Sequence, residues 1–127
     1  MVRRPWVPGL ALVASLAACG GPSKHDLYMQ GMKVEGDASR GECKLVYDPV
    51  EKNHVLDGDQ IDACLRRTEE AIALYEQAKE RGLHDLDFVQ TYERALERRT
   101  HLTSMLKTVR SLERTEDLGP GMPVPPT

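Results

Sequence analysis

The stretch DQIDACLRRTEEAIALYEQAKER, residues 59–81, decides the fold of this chain. Its apolar side chains recur every three or four positions, the spacing that places side chains on one face of an α-helix. The stripe consists of Ile61, Cys64, Leu65, Ala71, Ile72, Tyr75 and Ala78. Asp59 is a suitable N-cap, and Gly82 suits the left-handed conformation that ends many helices. The pattern predicts an amphipathic helix over residues 59–81.

A second, longer helix is predicted to begin near Asp85 or Asp87 and to end near Leu118, before Gly119 and Pro120. Its apolar seam alternates steps of four and three residues, a period close to a heptad. The seam consists of Phe88, Tyr92, Ala95, Arg99, Leu102, Leu106 and Val109. Because the connection is short, the two helices should fold back on each other. The predicted fold class is therefore mainly α, an antiparallel helical hairpin with a long second helix.

The second helix should overhang the first, since their lengths are roughly 48 Å and 33 Å at 1.5 Å per residue. Its apolar end needs cover from residues 25–60, from a second copy of the chain as a homo-oligomer, or from a partner. Residues 26–33 suit one short helix and residues 44–47 a short extended piece, while Gly31 and Gly36 should break longer elements. We therefore predict an irregular N-terminal segment.

The beginning of the chain has the features of an export signal. Arg3 and Arg4 supply positive charge, and residues 10–18, LALVASLAA, form an apolar run that ends in small residues. The run is too short for a membrane-spanning helix, which takes about 20 apolar residues. The residues Leu16-Ala17-Ala18-Cys19 resemble the lipobox of bacterial lipoproteins, in which small residues precede an obligatory cysteine. This resemblance implies that residues 1–18 are a lipoprotein signal peptide.

The resemblance also implies a role for Cys19. In bacterial lipoproteins the thiol receives a diacylglyceryl group, cleavage occurs before the cysteine, and the new amino group is often acylated. Two or three acyl chains hold a protein durably on a membrane, whereas one chain does so only marginally. Gly20 stands where Asp usually marks retention in the inner membrane, so the resemblance favours the outer membrane. The expected location is the outer membrane facing the periplasm, with the inner membrane and the cell surface as alternatives. Residues 19–25 would then be the lipidated cysteine and a flexible tether.

The other two cysteines are Cys43 and Cys64. Export would bring them into an oxidising compartment, where an even pair is most simply a disulfide. This bond would close a loop of about 22 residues, stabilise the fold by roughly 3 kcal/mol, and staple the N-terminal segment to the first helix. The alternative is a metal site that uses both thiols with His54, although the usual ligand spacing is absent.

Charge is distributed unevenly along the chain. The net charge is −3, and loss of Arg3 and Arg4 with the leader makes the mature chain more acidic, which argues against nucleic-acid binding. Residues 94–114 carry six bases and two acids. They form either an ordinary solvated surface or a basic end that meets anionic lipid or an acidic partner. The candidate interaction residues are Arg99, Lys107, Arg110 and Arg114. Arg99 interrupts the apolar seam, and its side chain either packs at the rim of the seam or pairs with a carboxylate.

The sequence contains no recognisable catalytic motif. Its histidines are scattered, and it has no glycine-rich phosphate loop, Gly-x-Ser-x-Gly elbow or His-Glu-x-x-His pair. We therefore predict no enzyme activity, no catalytic residue and no cofactor. The acidic stretch around His54, with Asp57 and Asp59, does not match a calcium-binding EF-hand. It nevertheless makes a small-ligand or metal-binding lipoprotein the alternative function.

The mature chain is predicted to hold one small domain, residues 26–118, followed by a tail. The tail, residues 119–127, contains four prolines and should be disordered or polyproline-like. The preferred functional hypothesis is a membrane-anchored, non-enzymatic module for protein interaction, assembly or scaffolding in the cell envelope.

Overall fold

The computed structural model describes residues 21–47 and 56–117. These residues form four helices, namely α1 Lys24–Arg40, α2 Lys44–Tyr47, α3 Gly58–Glu80 and α4 Leu86–Asp117. Within the two described ranges there is no strand. The prediction of a mainly α fold with a long last helix is confirmed. The lipobox with Cys19, residue His54 and the tail 119–127 lie outside the described residues.

The hairpin of α3 and α4 matches the sequence prediction closely. Gly82 follows α3 with a φ of 95°, the left-handed conformation expected of a glycine that ends a helix. The N-cap of α3 differs, because it is Asp57 and not Asp59. The Asp57 carboxylate accepts a hydrogen bond from the Gln60 amide at 2.8 Å, and the Gln60 side chain accepts one from the Asp57 amide at 3.1 Å. This reciprocal pair is a capping box, which satisfies two backbone donors at once.

The described part of the N-terminal segment, residues 21–47, is largely helical, which corrects the prediction of an irregular segment and extends the short helix predicted for residues 26–33. Helix α1 has 17 residues and begins with a second capping box, in which Ser23 and Asp26 exchange hydrogen bonds of 3.0 and 3.2 Å. Lys24 and His25, predicted to belong to the tether, are its first residues. Gly31 does not break α1, because it lies where the helix approaches α3 closely. A Cβ at that position would overlap the ring of the buried Tyr75.

The three long helices run up, down and up around a shared core. The Arg81 guanidinium after α3 donates to the Pro22 carbonyl before α1 at 2.6 Å, so these two helices are antiparallel. The opposite end of α3 meets the later part of α4, where Arg110 pairs with Asp59 at 2.9 Å. Helices α1 and α4 are therefore parallel, and both pack on α3.

The core consists of two clusters of buried side chains. The cluster nearer the α3–α4 turn is built around Tyr75 and Phe88, whose rings meet edge to face with centroids 6.2 Å apart. The other surrounds the disulfide and contains Ala38, Cys43, Ile61, Cys64, Leu65 and Leu102. Val46 and Leu56 pack against this cluster together with Met105, Leu106 and Val109 of α4. Val46 and Leu56 thus share a cluster with the end of α4 that was expected to overhang, while Leu112 is largely exposed further along α4.

A disulfide joins Cys43 to Cys64, as predicted. Both cysteines are fully buried, with Cα atoms 4.7 Å apart, so the bond fixes the end of α1 and the following turn to α3. Arg67 reinforces this junction, because its guanidinium lies 3.1 Å from the Glu42 carboxylate and 2.8 Å from the Glu70 carboxylate.

α2 is a single helical turn, not the extended piece that was predicted for residues 44–47. Its first amide donates to the Gly41 carbonyl at 3.1 Å, and the Tyr47 amide donates to the Cys43 carbonyl at 2.9 Å. Because Cys43 is held by the disulfide, this turn is fixed beside α3. It also places Tyr47 next to α4, where Tyr47 lines a groove between α1 and α4.

Candidate functional site

A groove of about 390 Å³ lies between α1 and α4. It forms because both helices pack on α3 and meet each other only through side chains. At one point along it the hydroxyls of Tyr28 and Thr91 share a hydrogen bond of 3.2 Å. The residues that line the groove include Met32, Glu35, Tyr47, Thr91, Arg94 and Arg98.

The groove contains a carboxylate with two internal partners. One Glu35 oxygen accepts a hydrogen bond from the Tyr75 hydroxyl, and the other accepts one from the Arg98 guanidinium. The Glu35 side chain is only 19% exposed, so both bonds form in a partly desolvated setting where charged hydrogen bonds are strong. The Arg98 guanidinium also lies 5.1 Å from the centre of the Tyr47 ring. Glu35 therefore ties all three long helices together and is not a free base.

Tyr75 is held in its neutral form by these surroundings. Burial is the main cause that raises its pKa, because a phenolate would lose its hydration, and the neighbouring Glu35 carboxylate raises the pKa further. The hydroxyl therefore remains a hydrogen-bond donor to Glu35 at neutral pH. The arrangement is suited to fixing helix positions and not to transferring a proton to a ligand.

Arg94 provides positive charge that no carboxylate of the described residues neutralises. It is exposed at the mouth of the groove, its guanidinium donates to the Thr91 hydroxyl at 3.4 Å, and it forms no ion pair with any residue in the described ranges. Met32 and Tyr47 are exposed beside it. The groove thus offers a cation next to apolar and aromatic surface, a combination common at protein interfaces.

The four basic residues singled out in the sequence do not form one site. Arg99 is half-buried and makes no salt bridge within the part of the chain that the structure covers, whereas its neighbour Arg98 pairs with the acidic N-terminal segment. Lys107 and Arg114 are exposed. Arg110 is engaged within the fold, where it pairs with Asp59 and its guanidinium covers the first residue of α3. Arg94 and Arg98 were not among the predicted interaction residues, because they neither interrupt the apolar seam nor lie near the end of α4.

The acidic residues considered for a metal have structural roles. Asp57 caps α3, and Asp59 pairs with Arg110. The described residues contain no group of three or more histidine, cysteine or acidic side chains placed to hold a metal ion. None of the helices in this part of the chain is both long and apolar enough to cross a membrane.

A second groove, of about 380 Å³, lies on the other side of α4 near the α3–α4 turn. It is mainly apolar, with walls that include Leu83, Phe88, Val89, Tyr92 and Leu96. Lys79 stands at its rim with its ammonium 5.6 Å from the Tyr92 ring centre. Leu86, the first residue of α4, is exposed close to this groove.

The fold and its grooves define a disulfide-bonded domain of three long helices with one cationic and one apolar concave surface. No protein-family model matches the chain, and no curated protein or solved structure is similar enough to count as a match.

Proposed function

We propose that this protein is a lipoprotein of the cell envelope that binds a protein partner through the groove between α1 and α4. The observation that carries the proposal is Arg94, an exposed cation without an ionic partner among the described residues, beside exposed Met32 and Tyr47 in a concave surface. Arginine, tyrosine and methionine are enriched at protein interfaces. The partner chemistry that fits is a segment with an acidic side chain next to an apolar one.

The anchoring part of the proposal rests on the resemblance of Leu16 to Cys19 to a lipobox. The disulfide between Cys43 and Cys64 supports export, because such bonds persist in oxidising compartments. The protein then faces the periplasm from the outer membrane, held by lipid on Cys19. Its role is to position a partner at the membrane, as an assembly factor or scaffold does, without catalysis.

Position-specific photocrosslinking tests the binding surface in cells. A photoreactive amino acid at Met32 is expected to capture a partner, and the charge reversal Arg94→Glu should abolish this adduct. The same photoreactive group at Glu69 is the matched control, because Glu69 is exposed on α3 outside both grooves. Equal capture from position 69, or capture that is unaffected by Arg94→Glu, would contradict the proposal. An adduct of twice the protein's mass would identify a second copy of the chain as the occupant instead.

Calorimetry with Ca²⁺ and Zn²⁺ tests the alternative of a metal-binding lipoprotein. Asp57→Asn is a clean variant for this purpose, because asparagine is as good an N-cap as aspartate and α3 should still form. Asp59→Asn removes only an exposed ion pair. Binding heat in the natural protein that disappears in both variants would favour the alternative over a protein-binding module.

A further inference from the structure

The end of the bundle that contains the α3–α4 turn also holds the start of the described chain. The Arg81 guanidinium donates to the Pro22 carbonyl at 2.6 Å and lies beside Gly21, and Ser23 caps α1 immediately afterwards. Only Gly20 separates Gly21 from Cys19. Two residues of fully extended chain span at most about 7 Å. Because Lys24 and His25 belong to α1 and the Pro22 carbonyl is bonded to Arg81, the connection from this end of the bundle to Cys19 is short.

This same end exposes apolar side chains. Leu86 at the start of α4 is 70% exposed, although leucine is among the residues most often buried. The apolar groove begins at Leu83 in the same turn and continues along α4 past Phe88, and its lining also includes Lys79 and Glu93. Charge is nearly balanced here, with Lys24, Lys79 and Arg81 near Asp26, Glu80, Asp85 and Asp87. Because neither sign of charge is in large excess here, the exposed Leu86 and the apolar walls of the groove favour an apolar contact.

We propose that this end of the bundle rests on the lipid surface, with Leu86 in the interfacial layer and the apolar groove facing the acyl chains. The inference rests on the proposed lipid anchor at Cys19. Because the anchor would lie within about 7 Å of Gly21, the domain has a high effective concentration at the bilayer. A contact between this end of the domain and the lipid can then form even if it is too weak to hold an unanchored domain on the membrane. An apolar side chain at such an interface lies about 5–10 Å into the boundary between headgroups and acyl chains.

Tryptophan fluorescence tests this orientation, since the only tryptophan of the chain is Trp6 in the leader. Leu86→Trp reports on the proposed contact. Leu112→Trp is the matched control, because Leu112 is also an exposed leucine of α4, at 61%, and lies roughly 39 Å further along the helix. Each variant is produced with its lipid, reconstituted into phosphatidylethanolamine and phosphatidylglycerol vesicles, and measured with and without brominated acyl chains.

The expected result is that brominated lipid lowers the emission of Leu86→Trp roughly twofold, because the side chain lies at the acyl boundary, and leaves Leu112→Trp unchanged. Flotation of the same vesicles tests the lipid anchor separately from the docking surface. Protein that does not float contradicts the lipid anchor and the docking surface together. Protein that floats with neither tryptophan quenched, or with both quenched equally, overturns the docking surface and leaves the anchor standing.

Discussion

Replacing Gly31 with alanine should destabilise the domain, although alanine normally stabilises a helix. The new Cβ would overlap the Tyr75 ring, with Cδ1 at 2.7 Å and Cε1 closer still. The ring cannot move away easily, because it is fully buried and its hydroxyl is bonded to Glu35. Overpacking of this kind costs about 1–3 kcal/mol. The higher helix propensity of alanine offsets about 1 kcal/mol of that cost. We therefore expect a net loss of up to about 2 kcal/mol.

Gly36→Ala is the matched control for this experiment. Gly36 lies in the same helix, and a Cβ there would meet only the flexible end of Arg40 at 3.6 Å. That variant should gain up to about 1 kcal/mol. Urea unfolding of both mature variants, followed by far-ultraviolet circular dichroism under oxidising conditions, gives the two free energies of unfolding. Because both changes share the same propensity gain, their difference isolates the overlap with Tyr75. Equal stability of the two variants would refute the close approach of α1 to α3.

Three further results follow from the contacts of the fold. Reduction of the disulfide between Cys43 and Cys64, which are 21 positions apart, should lower the free energy of unfolding by roughly 3 kcal/mol, and urea curves with and without reductant measure this loss. The pKa of Tyr75 is raised above its ordinary value of 10.0, so the neutral phenol contributes stability that is complete below pH 10 and declines above it, because the unfolded chain ionises first. Urea midpoints on both sides of pH 10 should show this decline, and Tyr75→Phe should reduce it. Arg110→Ala should lower the free energy of unfolding only slightly, because its partner Asp59 is 89% exposed, and Arg114→Ala should leave it unchanged in the same assay.

The hairpin could be predicted because local patterns specify it, and the disulfide because Cys43 and Cys64 are the pair that remains once Cys19 is assigned to the lipid. The apolar stripes of α3 and α4 have helical periods, and Gly82 marks the end of α3. Asp57 also had a local signature, since the spacing from Asp57 to Gln60 is that of a capping box. Asp59, the predicted cap, has an equally suitable side chain but lies two residues later.

Only residues 26–33 of helix α1 were predicted to be helical, because the buried face of α1 is not a run of large apolar residues. That face consists of Leu27, Gly31 and Ala38. Glycine has a low helix propensity, so the local sequence around Gly31 predicts the end of a helix. Tertiary packing against Tyr75 stabilises this helix, and such packing has no signal in the local sequence. The groove was missed for the same reason, since Arg94 and Arg98 face α1 and a two-helix hairpin offers them nothing to contact.

The lipid on Cys19 is the central claim, and intact mass spectrometry tests it most directly. The protein is produced in a bacterium that processes lipoproteins and is extracted from its membranes in detergent. The expected species begins at Cys19 and carries the mass of a diacylglyceryl group with or without an amide-linked acyl chain, while Cys19→Ser retains the leader and lacks lipid. Natural-sequence protein that keeps Trp6, or that begins elsewhere without added lipid mass, would contradict the claim.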